Sequence, residues 1–364
     1  MKVLIPVIYS FFFTVNSFGQ LIPLDSSDYG SIREKIKNQT FFISLDSTDP
    51  CLYVIRADYK LQVKDLKGAI ADYSTAIKSN PASSGVVDNR AYAYYNRGSA
   101  EYQLKDYREA DEDYSKALEF ESNNPIIYFA SGVIKNKLKE FHEALQAFNK
   151  AIELNPKYPH AYLERGKTRS ELKNFEGAIL DYSLAIDQGG YTVDAYHCRA
   201  LAKYKIGDFF GAIIDDNKAI DLKPDYWEAF VSRGSEKIQL PDMVGAIQDF
   251  DKAIELKQDN FDAFNIRGTI KSQLKDYKGA IRDFNTAITI QPKNAEAYNN
   301  RGVVRFSLKE YKGAISDYNK AIELAPEYAD AYFNRSMVFK KKRKNKKALE
   351  DFKLAESLKR VNRE

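Results

Sequence analysis

Ala246–Ala253 reads AIQDFDKA, Ala280–Ala287 reads AIRDFNTA and Ala314–Ala321 reads AISDYNKA. Each stretch follows the last by 34 residues, and in each an aromatic residue stands between two alanines. Three- and four-residue intervals put the alanines and the aromatic on one face of a helix. The same phase holds at Ala110, Ala144, Ala178, Ala212 and Ala348. Ala69 lies 41 residues before Ala110, so seven extra residues fall in or near Ser83–Arg90. A fixed period of this length marks a repeat array. It replaces the two or three globular domains that 364 residues would otherwise suggest.

Let position 20 of each unit be the first of these alanines. Nine units then begin at Pro50, Ala91, Pro125, Pro159, Val193, Trp227, Phe261, Ala295 and Ala329. Position 4 is aromatic in all nine, from Tyr53 to Tyr332; position 8 is small, from Ala57 to Ser336; position 27 is alanine throughout. Positions 4, 8 and 11 share one helical face, and 20, 24, 27 and 28 another. Small residues at 8 and 20 let two antiparallel helices approach, and aromatics at 4 and 24 fill the space beside them. Asp or Asn at position 16 (Asp65, Asp106, Asn174, Asp208, Asp242, Asp276) suits an N-cap for the second helix. Pro81, Pro156, Pro224, Pro292 and Pro326 at position 32 punctuate the joins.

This pattern resembles the tetratricopeptide repeat family over about residues 50–362. The resemblance implies an all-α, right-handed superhelical solenoid of about nine antiparallel helix pairs, each stabilised by stacking on its neighbours. It also implies a concave groove lined by each unit's first helix. The function to expect is therefore a non-enzymatic scaffold or adaptor, without a cofactor, that binds a peptide or protein in that groove. Three departures stand out. Asp216 replaces the aromatic at position 24 of the fifth unit, which suggests looser packing or a local rearrangement. Ser122, Gly190 and Gln258 replace the join proline. Lys342 and Asn345 replace apolar residues in the last unit, as in a solvated cap.

Position 7 is Arg in eight units and position 23 is Asp in eight. An arginine stripe can bind phosphates or carboxylates. The third unit speaks for internal pairing instead, because Ser131 and Ala147 replace both partners together.

Positions 2, 5, 6, 9, 12 and 13 face the groove in the family, and here they vary between units. Toward the N-terminus they present Tyr92, Tyr95, Tyr102 and Phe129, aromatic anchors for a partner or cover for the insert before Ala91. Toward the C-terminus they present Asn265, Asn299, Asn300 and Asn334, amides suited to an extended peptide backbone or simply solvated. The family's clamp for acidic C-terminal tails is matched only by Asn300 and Asn334, so that adaptor role is disfavoured. His160 and Glu164 on one first helix, with Asp194, His197 and Cys198 on the next, form a sharper constellation. Their spacing raises metal binding as the alternative function, against coincidence on a polar groove. The run Lys340–Lys347 has seven basic residues in eight and reads chiefly as a soluble cap.

Composition narrows the classes. Net charge is +4, which gives no basis for a nucleic-acid partner. Cys51 and Cys198 make neither a disulfide framework nor a zinc pattern, and three histidines leave little for acid–base chemistry. Residues 1–19 carry Lys2, an apolar run from Val3 to Phe13, and small residues at Ser17 and Gly19, the form of a secretory signal peptide. That run is too short for a transmembrane segment. An exported protein, periplasmic or extracellular, is the expectation. Residues 20–49 precede the repeats, with a short helix possible at Ser31–Gln39.

Overall fold

The computed structural model describes residues 26–79, 89–190 and 192–361. The segment 1–19 and most of the insert before Ala91 lie outside them. Every regular element among the described residues is a helix. Contacts divide the chain into two compact bodies, Met1–Ala195 and Tyr196–Glu364. The first contains α1 (Ser26–Leu45), then the pairs α2 (Pro50–Gln62) and α3 (Leu66–Lys78), α4 (Arg90–Leu104) and α5 (Tyr107–Phe120), α6 (Pro125–Lys137) and α7 (Phe141–Leu154), and α8 (Pro159–Glu171) and α9 (Phe175–Asp187). The division falls inside α10 (Thr192–Lys205). The second continues with α11 (Phe209–Leu222), α12 (Trp227–Gln239) and α13 (Met243–Leu256), α14 (Phe261–Gln273) and α15 (Tyr277–Ile290), α16 (Ala295–Ser307) and α17 (Tyr311–Leu324), and α18 (Ala329–Lys341) and α19 (Asn345–Val361). Each body is an all-α solenoid of helical hairpins. First helices of successive units touch, α6 with α8 in the first body, and α14 with α16 and α16 with α18 in the second.

Local chemistry explains the hairpin. At the end of the first helix, position 15 takes a left-handed conformation, as at Lys309 (φ 62°). The Lys309 N–H then donates to Phe306 O at 2.9 Å and the Glu310 N–H to Arg305 O at 2.8 Å, satisfying carbonyls at the helix end. Position 16 caps the second helix: Asp276 accepts from the Gly279 N–H at 2.9 Å, and Asp65, Asn174, Asp208 and Asp242 do the same. A Cβ at Gly279 would lie 2.0 Å from that carboxylate, so glycine precedes the anchor alanine. Asp106, followed by Glu109 in place of that glycine, makes no side-chain cap.

The core follows from positions 8 and 24. A Cβ at Gly132 would meet the Phe148 ring at 2.6 Å, and one at Gly302 the Tyr318 ring at 2.6 Å. Phe148, Tyr182, Phe250, Phe284 and Tyr318 are fully buried. Each buried ring of this size contributes about 2 kcal/mol.

Helix α1 is longer than the sequence suggested and packs on α2. It buries Ile32, Gln39 and Ile43, seven and four residues apart on one face. Arg56 Nη1 donates to Thr40 Oγ1 at 3.2 Å, so α1 acts as the second helix of a preceding unit.

Candidate functional site

The recurrent charges are spent inside the hairpins. Each position-7 arginine forks onto the aspartate sixteen residues later, as in Arg301, whose Nε and Nη2 donate to Asp317 at 3.0 and 2.6 Å. The same fork joins Arg56 to Asp72, Arg97 to Asp113, Arg165 to Asp181, Arg199 to Asp215, Arg233 to Asp249, Arg267 to Asp283 and Arg335 to Asp351. The guanidinium also sits over the position-4 ring, 5.5 Å from Tyr298 for Arg301. Its third nitrogen reaches position 25 of the preceding unit: Arg301 to Asn285 at 2.7 Å, Arg335 to Asn319 at 2.7 Å, Arg233 to Asn217 at 2.6 Å. One arginine thus fastens a hairpin internally and to its neighbour. Recurrent Asn, Asp and Ser at position 25 was the sequence signal for the second bond, and it went unread.

The groove candidates separate into presented and buried groups. Tyr92 is exposed and its hydroxyl donates to Asp58 at 3.1 Å. Burial pushes the Asp58 carboxyl up to about 6, against the hydroxyls of Tyr73 and Tyr92. Tyr95 and Tyr102 are half-buried, 5.7 Å from the Tyr114 ring and 5.8 Å from the Tyr107 ring. Phe129 requires correction: it is 3% exposed, between Phe148 and Tyr158 with ring separations of 5.9 and 5.1 Å. Tyr158, at position 34 of the same unit, folds over it.

The asparagines form a network across first helices. Asn300 Nδ2 donates to Asn265 Oδ1 at 3.3 Å, and Asn334 Nδ2 to Asn299 Oδ1 at 2.9 Å. Asn265 Nδ2 donates to Glu296 at 3.1 Å. Asn265 and Asn299, 6% and 5% exposed, are therefore not presented as expected; Asn300 and Asn334 are half-buried at the surface. Their amides satisfy one another because position 5 of one unit lies against position 6 of the next. The same face exposes Val303, Phe333 and Met337, at 37%, 38% and 37%, which sequence reasoning did not single out although all three occupy groove positions.

The metal constellation is not assembled. No group of three or more His, Cys, Asp or Glu among the described residues is placed to hold a metal ion. Glu164 accepts from Lys167 at 2.8 Å, Asp194 is exposed, and His197 is buried with Nδ1 2.9 Å from Asp216 Oδ1. Cys198 and His160 are half-buried, and burial pushes the His160 imidazole down. The fifth unit is not loosely packed. Asp216 is fully buried, and the His197 ring meets Tyr226 edge-on at 5.2 Å. Glu236, at position 10 of the next unit, is buried beside Asp216. Burial pushes both carboxyls well above the usual range, to about 8 for Asp216 and about 9 for Glu236, and the Asp216 charge adds to the rise at Glu236. No described helix is long and apolar enough to cross a membrane.

Comparison with known proteins agrees with this geometry. Tetratricopeptide repeat families match residues 91–124, 295–328 and 329–362, the second, eighth and ninth units, and a TPR repeat family matches 132–173 and 268–309. No curated protein matches. A tetratricopeptide repeat protein from Parabacteroides merdae is 19% identical with a TM-score of 0.52, covering 77% of this chain and 99% of its own. A chain of the APC/C hetero-tetramer Cut9–Hcn1 is 15% identical with a TM-score of 0.53, covering 83% of this chain and 58% of its own. MamA is 26% identical over 45% of this chain and 95% of its own, with a TM-score of 0.42. The two neighbours with TM-scores above 0.5 share the fold, and the repeat matches make this chain a tetratricopeptide repeat protein.

Proposed function

We propose that the protein is a non-enzymatic interaction scaffold that holds an extended protein segment against the first helices of its hairpins. One observation carries the proposal. Along α14, α16 and α18 the recurrent charges are consumed in Arg–Asp pairs, while Asn300, Val303, Phe333, Asn334 and Met337 remain at the surface. Amides serve a peptide backbone as donor and acceptor, and exposed apolar side chains supply anchoring area. The test is cross-linking capture with the intact protein and with a variant carrying Asn300→Ala, Phe333→Ala, Asn334→Ala and Met337→Ala, with partners identified by mass spectrometry. A partner captured by the first and lost by the second, both remaining helical, supports the proposal. Capture unchanged by the substitutions moves the binding face elsewhere.

Export is a second part of the proposal and rests on residues 1–19. N-terminal sequencing of protein recovered outside the cytoplasm is expected to begin at Gln20. A chain that keeps Met1 and stays in the cytoplasm overturns it.

A further inference from the structure

We propose that the turn edge of the eighth and ninth units binds an acidic protein segment, at a place separate from the first-helix face. The α16–α17 turn and the end of α18 border an open recess of about 530 Å³. Arg305, Lys309, Lys312 and Lys342 line it with the Ser316 hydroxyl, against a single carboxylate, Glu310. From Lys342 the positive surface continues along the basic run Lys340–Lys347, which is exposed almost throughout.

The lysines of this turn differ from those on the second helices. Lysines on the outer surface of the second helices have an acid one turn on: Lys252 with Glu255 at 2.7 Å and Lys320 with Glu323 at 2.6 Å. Lys309, Lys312 and Lys342 have no ion pair among the described residues. Glu310 is the one carboxylate among them in the recess, which leaves an excess of positive charge that an anion settling there would offset.

The chemistry of the pocket selects among anions. The Tyr311 ring is packed at 5.8 Å against Phe306, which leaves no free aromatic platform for stacked bases. The guanidinium of the recess itself, on Arg305, is held by Asp317 at 2.8 Å, and Arg343 stands exposed in the adjoining run. The other cations of the recess are lysine ammoniums, point charges that accept carboxylates without demanding bidentate geometry. A run of glutamates or aspartates fits all of these features.

The test is fluorescence anisotropy with the full chain and a labelled decaglutamate peptide, with decaglutamine as control. A variant carrying Lys309→Gln, Lys312→Gln and Lys342→Gln is compared with the unaltered protein and with the first-helix variant above. All are checked for helicity by circular dichroism. Decaglutamate is expected to bind, to be displaced by salt, and to bind the lysine variant about tenfold more weakly, a difference of about 1.4 kcal/mol. The first-helix variant is expected to bind decaglutamate normally, which keeps this result apart from the fate of the scaffold proposal. Absence of decaglutamate binding, or equal binding by the lysine variant, overturns the inference. So does tighter binding of dextran sulfate or phosphatidylglycerol vesicles than of decaglutamate, which would give the edge to a polysaccharide or a lipid surface.

Discussion

Two seams in the second body occupy the same repeat positions and are built from opposite chemistry. A seam forms where position 24 of one unit meets position 10 of the next. At the seventh and eighth units these are Phe284 and Val304, both buried in one apolar cluster with Ala280. At the fifth and sixth they are Asp216 and Glu236, 0% and 1% exposed. Asp216 Oδ2 and both Glu236 oxygens find no N–H or O–H donor. Burial without such donors disfavours the charged forms and pushes both carboxyls up, so the pair keeps protons to higher pH than exposed acids do. The frame around each seam is the same: Arg233 forks onto Asp249 as Arg301 does onto Asp317. The frame sets the backbone, and the seam sets stability and its dependence on pH. Replacing buried ionisable groups by well-packed apolar side chains is often neutral or stabilising, whereas opening a cavity in an apolar seam is costly.

The comparison breaks most visibly at the apolar seam. Phe284→Ala is expected to cost about 3–5 kcal/mol, seen as a lower midpoint in chemical denaturation followed by circular dichroism. A loss below about 1 kcal/mol would mean that the seam does not depend on its ring. The reverse change, Asp216→Phe with Glu236→Ile, makes the polar seam like its neighbours. It is expected to stabilise the protein by about 1–4 kcal/mol, and a marked loss would show that His197 and Tyr226 need the carboxylates for packing.

The third prediction concerns pH. A carboxyl whose pKa is raised by folding keeps a proton that the unfolded chain releases. Its stabilising contribution is full below the unfolded value and is lost as pH rises through the folded value, here up to about 8 to 9. Stability is therefore expected to fall between about pH 5 and pH 8, by up to about 1.4 kcal/mol per pH unit for each proton that the fold retains. The groups facing the pair are His197 from α10, Asp215 from α11, Arg233 from α12 and Asp249 from α13. Only the pair itself is altered in Asp216→Asn with Glu236→Gln, which is expected to flatten the dependence. An equal slope in that variant assigns the titration elsewhere. The smallest effect is at the amides. Asn334→Ala is expected to cost about 0.5–1.5 kcal/mol, because it leaves the buried Asn299 oxygen without its donor at 2.9 Å. Asn300→Ala serves as the comparison at a half-buried site.

Much of the frame was legible in the sequence because it is written in fixed intervals. Small residues at position 8, rings at 24 and caps at 16 are constraints within one hairpin, and a 34-residue period repeats them until chance is no explanation. The Arg–Asp pairing was legible for the same reason, through the joint loss at Ser131 and Ala147. The exposure of side chains on the first-helix face was less so. Phe129 stood at a groove position and is closed over by Tyr158; His197 stood in a metal-like spacing and is engaged by Asp216. Asn265 and Asn299 stood in a ladder and are satisfied by Asn300 and Asn334.

The sequence by itself determined the all-α repeat architecture, the family, the hairpin phase and the internal fate of the recurrent charges. Only the tertiary structure decided which groove side chains reach the surface, how arginine reaches position 25 of its neighbour, and that two acids share the seam at Asp216 and Glu236. The physical reason is range. Helical periodicity fixes which face a residue occupies within its own hairpin, but its exposure and protonation depend on side chains brought against it from other helices, about one repeat away.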